Sequence, residues 1–265
     1  MKSEEFSKEL VDLEKMFPVP SQTTLEDKKS LRQIIDLARE NFNNYSYMEI
    51  GSFLGGSIAP FAIDNNCYKI LSIDDRGKVQ KDERGINYDY TKYSSQDMLD
   101  NLIRHNVPVS KIQCFDGSIQ SYSGGGEFNI VFIDGIHTDE AVFSDFLSAI
   151  ELISEKSIII FHDFSLVYKG IRLCKLLLQH KGVPATILMN TKSEVCAFII
   201  GDFIASKVQQ SAISELEFEE ACAIAEKKRI SDQFRNRCYV RQNNIVKKLN
   251  IPNEVFIGDP ITQSV

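Results

Sequence analysis

Seven short β-rich runs punctuate this chain: YSYMEI (45–50), KILSID (69–74), KIQCF (111–115), NIVFID (129–134), SIIIF (157–161), PATILM (184–189) and VCAFII (195–200). Most are unbroken apolar stretches, the pattern of strands covered on both faces, which a parallel sheet flanked by helices provides. Helix signals fill the spacers. Thr23 and Glu26 fit a capping box ahead of residues 25–40, Thr138 precedes DEAVFSDFLSAIEL, and Gly182 follows LVYKGIRLCKLLLQHK. Only NTKSE separates the last two runs, too short for a crossover helix, so they form a hairpin. The expected fold is α/β: a doubly wound, Rossmann-like sheet of seven strands, mostly parallel, with helices on both faces, an antiparallel final hairpin and a reversed edge strand.

With 265 residues, 43% hydrophobic and 25% charged, the chain suits one sizeable α/β core with additions. We expect a domain over 1–202 with an N-terminal helical cap, and a helical extension over 203–265 that binds substrate or another copy of the chain. Loose linkers are SYSGGGE (121–127) and the stretch 251–265. A net charge of −7 argues against a nucleic-acid binder. The six cysteines contain no CxxC pair and fall mostly in apolar runs, as buried reduced thiols do. The N-terminus lacks the apolar stretch of a secretory signal, and no run approaches ~18 apolar residues, so a cytoplasmic protein without a membrane partner is expected.

Ligands of open α/β sheets bind beyond the carboxyl ends of the strands. The first strand runs into MEIGSFLGGS (48–57), where Gly51, Gly55 and Gly56 permit tight turning and close approach to a ligand, and Ser57 can cap the next helix. The spacing is E-x-G-x-x-x-G, not GxGxxG. Glu49 just before the turn can receive an amino group and would repel a pyrophosphate. The second run ends in Asp74, an acceptor for a ribose diol. The third ends in CFDGS, where Asp116 can accept from an exocyclic amine and Ser118 can bond a ring edge. Each acid alone is an ordinary strand-end turn residue; three in register are harder to dismiss.

EIGSFLGGS, SIDD, FDGS and FIDGIH in this order, followed by the final hairpin, resemble the class I S-adenosylmethionine-dependent methyltransferases over roughly residues 25–202. The resemblance implies that Glu49, Gly51 and Ser57, with Ser52 and Gly55 of the same loop, contact the methionine part. It also implies Asp74 at the ribose, and Asp116, Gly117 and Ser118 at the adenine, with Asp134 closing the site.

The fourth run ends in Asp134 and the fifth is followed by His162 and Asp163. One crossover separates them, so their strands should be parallel neighbours ~4.8 Å apart, with both acids on one edge. Such a pair repels unless a positive charge lies between, and a divalent cation would satisfy both. Oxygen ligands favour magnesium, or manganese where an imidazole joins. Adjacent strand residues point oppositely unless the strand has ended, so His162 is either a ligand or a packing residue. His137 either takes a proton from an alcohol at neutral pH or caps the helix from Thr138. His105 and His180 fall near helix ends, in solvated or capping roles.

This arrangement resembles the metal-dependent sugar O-methyltransferases, the macrocin O-methyltransferase branch. There the histidine matching His137 is taken as the base, and the acids matching Asp134 and Asp163 hold magnesium. His162 stands where some relatives carry a carboxylate. The resemblance implies methyl transfer to a hexose or heptose hydroxyl, free or nucleotide-linked, in capsule, other surface-glycan or glycosylated-metabolite synthesis. Methylation of a phenolic or other small-molecule hydroxyl is the alternative, as is a non-catalytic cofactor-binding protein of the same fold. Residues 227–248 hold eight basic residues against Asp232 alone, and would grip the phosphates of a nucleotide-linked sugar, form a solvated helix or meet a second copy.

Overall fold

The structure is a computed structural model that describes residues 11–203 and 212–248, with backbone alone for 242–248. The expected linker 251–265, the first ten residues and the side chains of Lys247 and Lys248 lie outside the described residues. In chain order the elements are α1 (Leu25–Asn41), β1 (Tyr45–Ile50), α2 (Ile58–Ile63), β2 (Cys67–Asp74), β3 (Val79–Lys81), β4 (Asn87–Asp89), α3 (Ser95–Arg104) and β5 (Ile112–Asp116). They continue with β6 (Phe128–Ile133), α4 (Asp139–Ala149), β7 (Ile153–Phe161), α5 (Phe164–His180), β8 (Ala185–Met189), β9 (Cys196–Ile200), β10 (Ala212–Ile213) and α6 (Glu215–Lys248).

The main sheet runs β5-β2-β1-β6-β7-β9-β8-β10. Its first five strands are parallel, and β9 is antiparallel to both neighbours. The alternating runs therefore gave the doubly wound sheet, with two corrections. An eighth strand, the two-residue β10, pairs with β8 at the edge. The reversed strand β9 lies inside the sheet, between β7 and β8. Composition explains the choice: CAFII is buried at every residue, whereas ATILM is largely half-exposed, so the more apolar arm of the hairpin takes the interior place.

Alternation along β1 feeds two apolar layers. Tyr45 and Tyr47 face Leu31, Ile35, Phe61 and Leu102 from α1 to α3, while Met48 and Ile50 face Phe146 and Ile171 from α4 and α5. The second layer also takes Phe218, Cys222 and Ala225 of α6, and a buried side chain such as Phe218 contributes ~1.5–3 kcal/mol. The capping box of α1 is one residue later than expected: Thr24 Oγ1 accepts from the Asp27 N–H and Asp27 Oδ2 from the Thr24 N–H. Thr138 caps α4, and Gly182 follows α5 in the left-handed region. All six cysteines are free, but Cys114 is only half-buried and Cys238 is exposed, against the expectation of burial. No helix among the described residues is long and apolar enough to cross a membrane.

Between β2 and α3 the chain makes a hairpin, β3–β4, that forms its own small sheet. Helix α6 holds it in place. Gln233 and Asn236 donate side-chain N–H groups to the carbonyls of Glu83 and Arg84 (2.7 and 2.8 Å), and buried Arg229 pairs with Asp139 at 2.6 Å.

Candidate active site

The ends of β1, β6 and β7 are level: Ile50 pairs with Ile133, and Ile133 with Phe161. The next residues are Gly51, Asp134 and His162. Gly51 has φ +89°, and a Cβ there would lie 2.1 Å from the Asp134 carbonyl oxygen, so only glycine lets the two strand ends meet. Beyond it, Phe53 is held at φ 43°, with its N–H donating to Asp74 Oδ2 at 2.7 Å. This left-handed, non-glycine residue stores backbone strain beside a cavity of about 360 Å³.

Gly51, Ser52, Ser57, Asp74, Asp134, His137, His162 and Asp163 all border that cavity. Ser52 Oγ accepts from Ser72 Oγ at 2.8 Å. Gly55 turns the loop at φ +83° against Leu102 without lining the cavity. Glu49 is placed differently from the amino-group acceptor expected at this position. It is fully buried below the loop and accepts from the hydroxyls of Tyr47 and Ser57. Burial pushes its pKa up to about 8 although both hydroxyls oppose the shift, so it is largely protonated at neutral pH. Ser57 stands at the start of α2, but its hydroxyl is directed at Glu49 and makes no cap bond.

Asp74 and Asp116 are register partners at the ends of β2 and β5. Buried Arg76 joins them, 3.4 Å from Asp74 and 3.1 Å from Asp116. Burial raises the Asp74 pKa, with Arg76 and the Phe53 N–H opposing. Asp116 is exposed and also accepts from Ser95 Oγ at 2.8 Å. Gly117 donates its N–H to the Asp74 carbonyl, and Ser118 Oγ is 3.5 Å from Ser121 Oγ. Asp116, Gly117 and Ser118 thus stand beside the cavity and do not line it.

The strand question at His162 has a geometric answer. Strand β7 stops at Phe161, and Asp163 adopts φ 54°, ψ 38°, which swings its carboxylate to the same side as the imidazole. His162 Nδ1 lies 3.3 Å from Asp134 and 3.7 Å from Asp163. His137 Nδ1 is 3.2 Å from Asp163 and its Nε2 3.6 Å from Asp134. Two carboxylates ~4 Å apart repel by ~4 kcal/mol at an effective dielectric of 20, and the two imidazoles answer that repulsion. Burial works against charge on all four groups, yet their mutual attraction wins: both aspartate pKa values fall and both histidine values rise.

Asp134, His162 and Asp163 each offer a ligand atom within 4.8 Å of the others. Two hard oxygens and one imidazole nitrogen suit magnesium with waters, or manganese. On its far side His162 has a buried Nε2 without a hydrogen bond, 3.5 Å from Asp27 Oδ2.

Sequence reasoning missed Asp27, Arg76 and the hairpin residues Gln80, Arg84, Tyr88 and Tyr90, all but Asp27 and Arg76 bordering the cavity. Tyr88 is 6.0 Å from the His137 ring and Tyr90 is 5.2 Å from Phe53, forming an aromatic wall. Pro20 to Thr23 close the opposite side. The residues VQK and NYD carry no apolar run to announce a strand, and Asp27 reads as a capping acid; the Asp-x-Arg spacing of Asp74 and Arg76 was the one available signal.

A sequence profile for a methyltransferase domain matches residues 48–164, from β1 to the first residue of α5. Over those residues the chain is similar to methyltransferase domains. Among solved structures, the O-methyltransferase NovP superimposes with a TM-score of 0.52 at 9% identity, over 64% of this chain and 78% of that one. The O-methyltransferase TomG from Streptomyces achromogenes, solved with S-adenosylmethionine, gives 0.46 at 14% identity over 71% of this chain and 86% of that one. An O-methyltransferase from Bacillus cereus bound to S-adenosylhomocysteine gives 0.45 at 14%, over 72% and 89%. The likeness to NovP is one of fold. No curated protein sequence matches the chain.

Proposed function

We propose that this chain is a class I methyltransferase acting on oxygen, transferring the methyl group of S-adenosylmethionine to a hydroxyl of a hexose or heptose, free or nucleotide-linked. It would serve bacterial capsule, surface-glycan or glycosylated-metabolite synthesis in the cytoplasm. The observation that carries this reading is His137, held between Asp134 and Asp163 at the level where β1 delivers the cofactor loop.

An aliphatic hydroxyl attacks a sulfonium methyl poorly until its proton is removed. In its neutral form His137 would receive that proton on Nε2, which lies 3.6 Å from Asp134 while Nδ1 lies 3.2 Å from Asp163, and the two carboxylates would stabilise the imidazolium that results. Asp134, His162 and Asp163 would hold the magnesium or manganese ion, which when bound supplies charge neutralisation and a lowered acceptor pKa. The loop from Gly51 to Ser57 and the carboxylate of Asp74 would position the cofactor. The net charge of −7 supports a small-molecule acceptor over nucleic acid.

The aromatic wall of Phe53, Tyr88 and Tyr90 favours a second reading, a phenolic acceptor stacked on the same side of the cavity. Incubation with methyl-labelled cofactor and a panel of free sugars, nucleotide sugars and catechols, read by mass, separates the two. Label on a sugar supports the first; label confined to catechols replaces it with the second.

A further inference from the structure

Next to the reaction cavity lies a second hollow of about 770 Å³, between the β3–β4 hairpin and α6. Arg84 borders both spaces, and Thr138, the residue after His137, lines the second. The Glu83 N–H also donates to the His137 carbonyl at 3.0 Å, so the hollow is built directly onto the segment carrying the proposed base.

Its charge leans positive, with Lys81, Arg84, Arg237 and Arg241 against Asp82 and Glu83. Asp82 is buried and paired with Arg84 at 2.7 Å. Glu83 accepts from the Asp139 N–H at 2.9 Å and lies 4.0 Å from Arg229. The side chains of Gln233 and Asn236 are engaged by main-chain carbonyls of the hairpin. Lys81, Arg237 and Arg241 remain, and none has an ion-pair partner among the described residues. The basic stretch of α6 thus divides. Lys228, Arg229 and Arg235 pair with Glu194, Asp139 and Asp232, whereas Arg237 and Arg241 converge with Lys81 of the hairpin.

We infer that this hollow binds the phosphate of a phosphorylated acceptor, while the sugar hydroxyl passes Arg84 to reach His137. The assignment rests on the sugar-hydroxyl reading above and specifies its substrate class. Guanidinium groups match phosphate oxygens in bidentate geometry, and an ammonium adds a third attractive point. Three like charges around one opening repel each other until an anion enters; of the two carboxylates bordering the hollow, Asp82 is taken by Arg84, and Glu83 accepts from the Asp139 N–H and lies 4.0 Å from Arg229.

Isothermal titration of the full chain, saturated with S-adenosylhomocysteine, tests this with inorganic pyrophosphate as the probe. Pyrophosphate should bind, more weakly as salt rises, and Lys81→Glu and Arg241→Glu should each weaken it by about tenfold or more while cofactor affinity holds. Arg237→Gln, which adds no negative charge, should weaken it less. Competition by a nucleoside-diphosphate sugar, or by a hexose 1-phosphate, identifies the diester or the monoester as the form taken. Absence of binding, or binding indifferent to the charge reversals, overturns the inference. If pyrophosphate binds as expected but no sugar is methylated, the hollow stands and the acceptor reading falls. If unphosphorylated sugars are methylated as efficiently as nucleotide sugars, and Lys81→Glu leaves both rates alone, the hollow falls and the acceptor reading stands.

Discussion

His162 Nε2 lies 3.5 Å from Asp27 Oδ2, bringing the end of β7 up to the first turn of α1. Asp27 is itself fixed, accepting from Ser193 Oγ at 2.8 Å and the Glu194 N–H at 2.7 Å. A carboxylate behind a ligating imidazole sets its tautomer and ring orientation, and losing it costs ~10–100-fold in metal affinity. Asp27→Asn should therefore weaken manganese binding by ~10–100-fold. Ser94→Ala removes the cap hydroxyl of α3, costs about 1 kcal/mol of stability and should leave manganese affinity alone. Manganese titration by electron paramagnetic resonance compares the two, and equal affinities would reduce Asp27 to a capping residue.

Replacing His137 by alanine removes the group between Asp134 and Asp163 without touching the cofactor loop. Cofactor affinity should hold while turnover falls by ~10²–10⁴. Single-turnover kinetics at saturating cofactor measures this; undiminished turnover would remove His137 from proton transfer.

Gly51→Ala should destabilise the fold by about 3 kcal/mol or more, because strain at φ +89° adds to a contact of 2.1 Å with backbone that cannot withdraw. Gly182, also at positive φ but with open space around it, should tolerate alanine at about 1 kcal/mol. Urea unfolding of both variants checks the ranking.

Asp145 is a buried carboxyl beside Gln120, its pKa pushed up to about 6 by burial against the lowering influence of that amide. The unfolded chain releases this proton near pH 4, so between about pH 4 and 6 the native state holds more protons and stability falls as pH rises. Asp145→Asn keeps an oxygen for Gln120 and abolishes the decline. Its stability relative to wild type should grow by on the order of 1–3 kcal/mol between pH 4.5 and 7.5. A difference that does not change with pH would contradict the assignment.

The parallel core was legible because ILSID, IVFID and SIIIF are apolar at most positions, and a strand covered on both faces needs that. The edge acids were legible for a related reason: ligand chemistry in such sheets gathers where strands end, and Asp134, His162 and Asp163 come together there. What escaped depends on contacts remote in sequence. Glu49 looks like an exposed strand-end acid until Tyr47 and Ser57 are seen enclosing it. The hairpin that walls the cavity has exposed, polar strands held from outside by α6, so no periodicity marks it. The position of β9 was decided by competition between the two arms of one hairpin, a question of relative burial that spacing alone leaves open.

The central claim is that Asp134, His137, His162 and Asp163 form one reaction centre facing the methyl donor. A crystal structure with S-adenosylhomocysteine and manganese, phased on the manganese anomalous signal, tests it most directly. The account predicts a peak bounded by Asp134, His162 and Asp163, with the homocysteine sulfur turned toward it and His137 Nε2 open to the space between. A cluster without manganese at saturating concentration, or a sulfur facing away from His137, would contradict it.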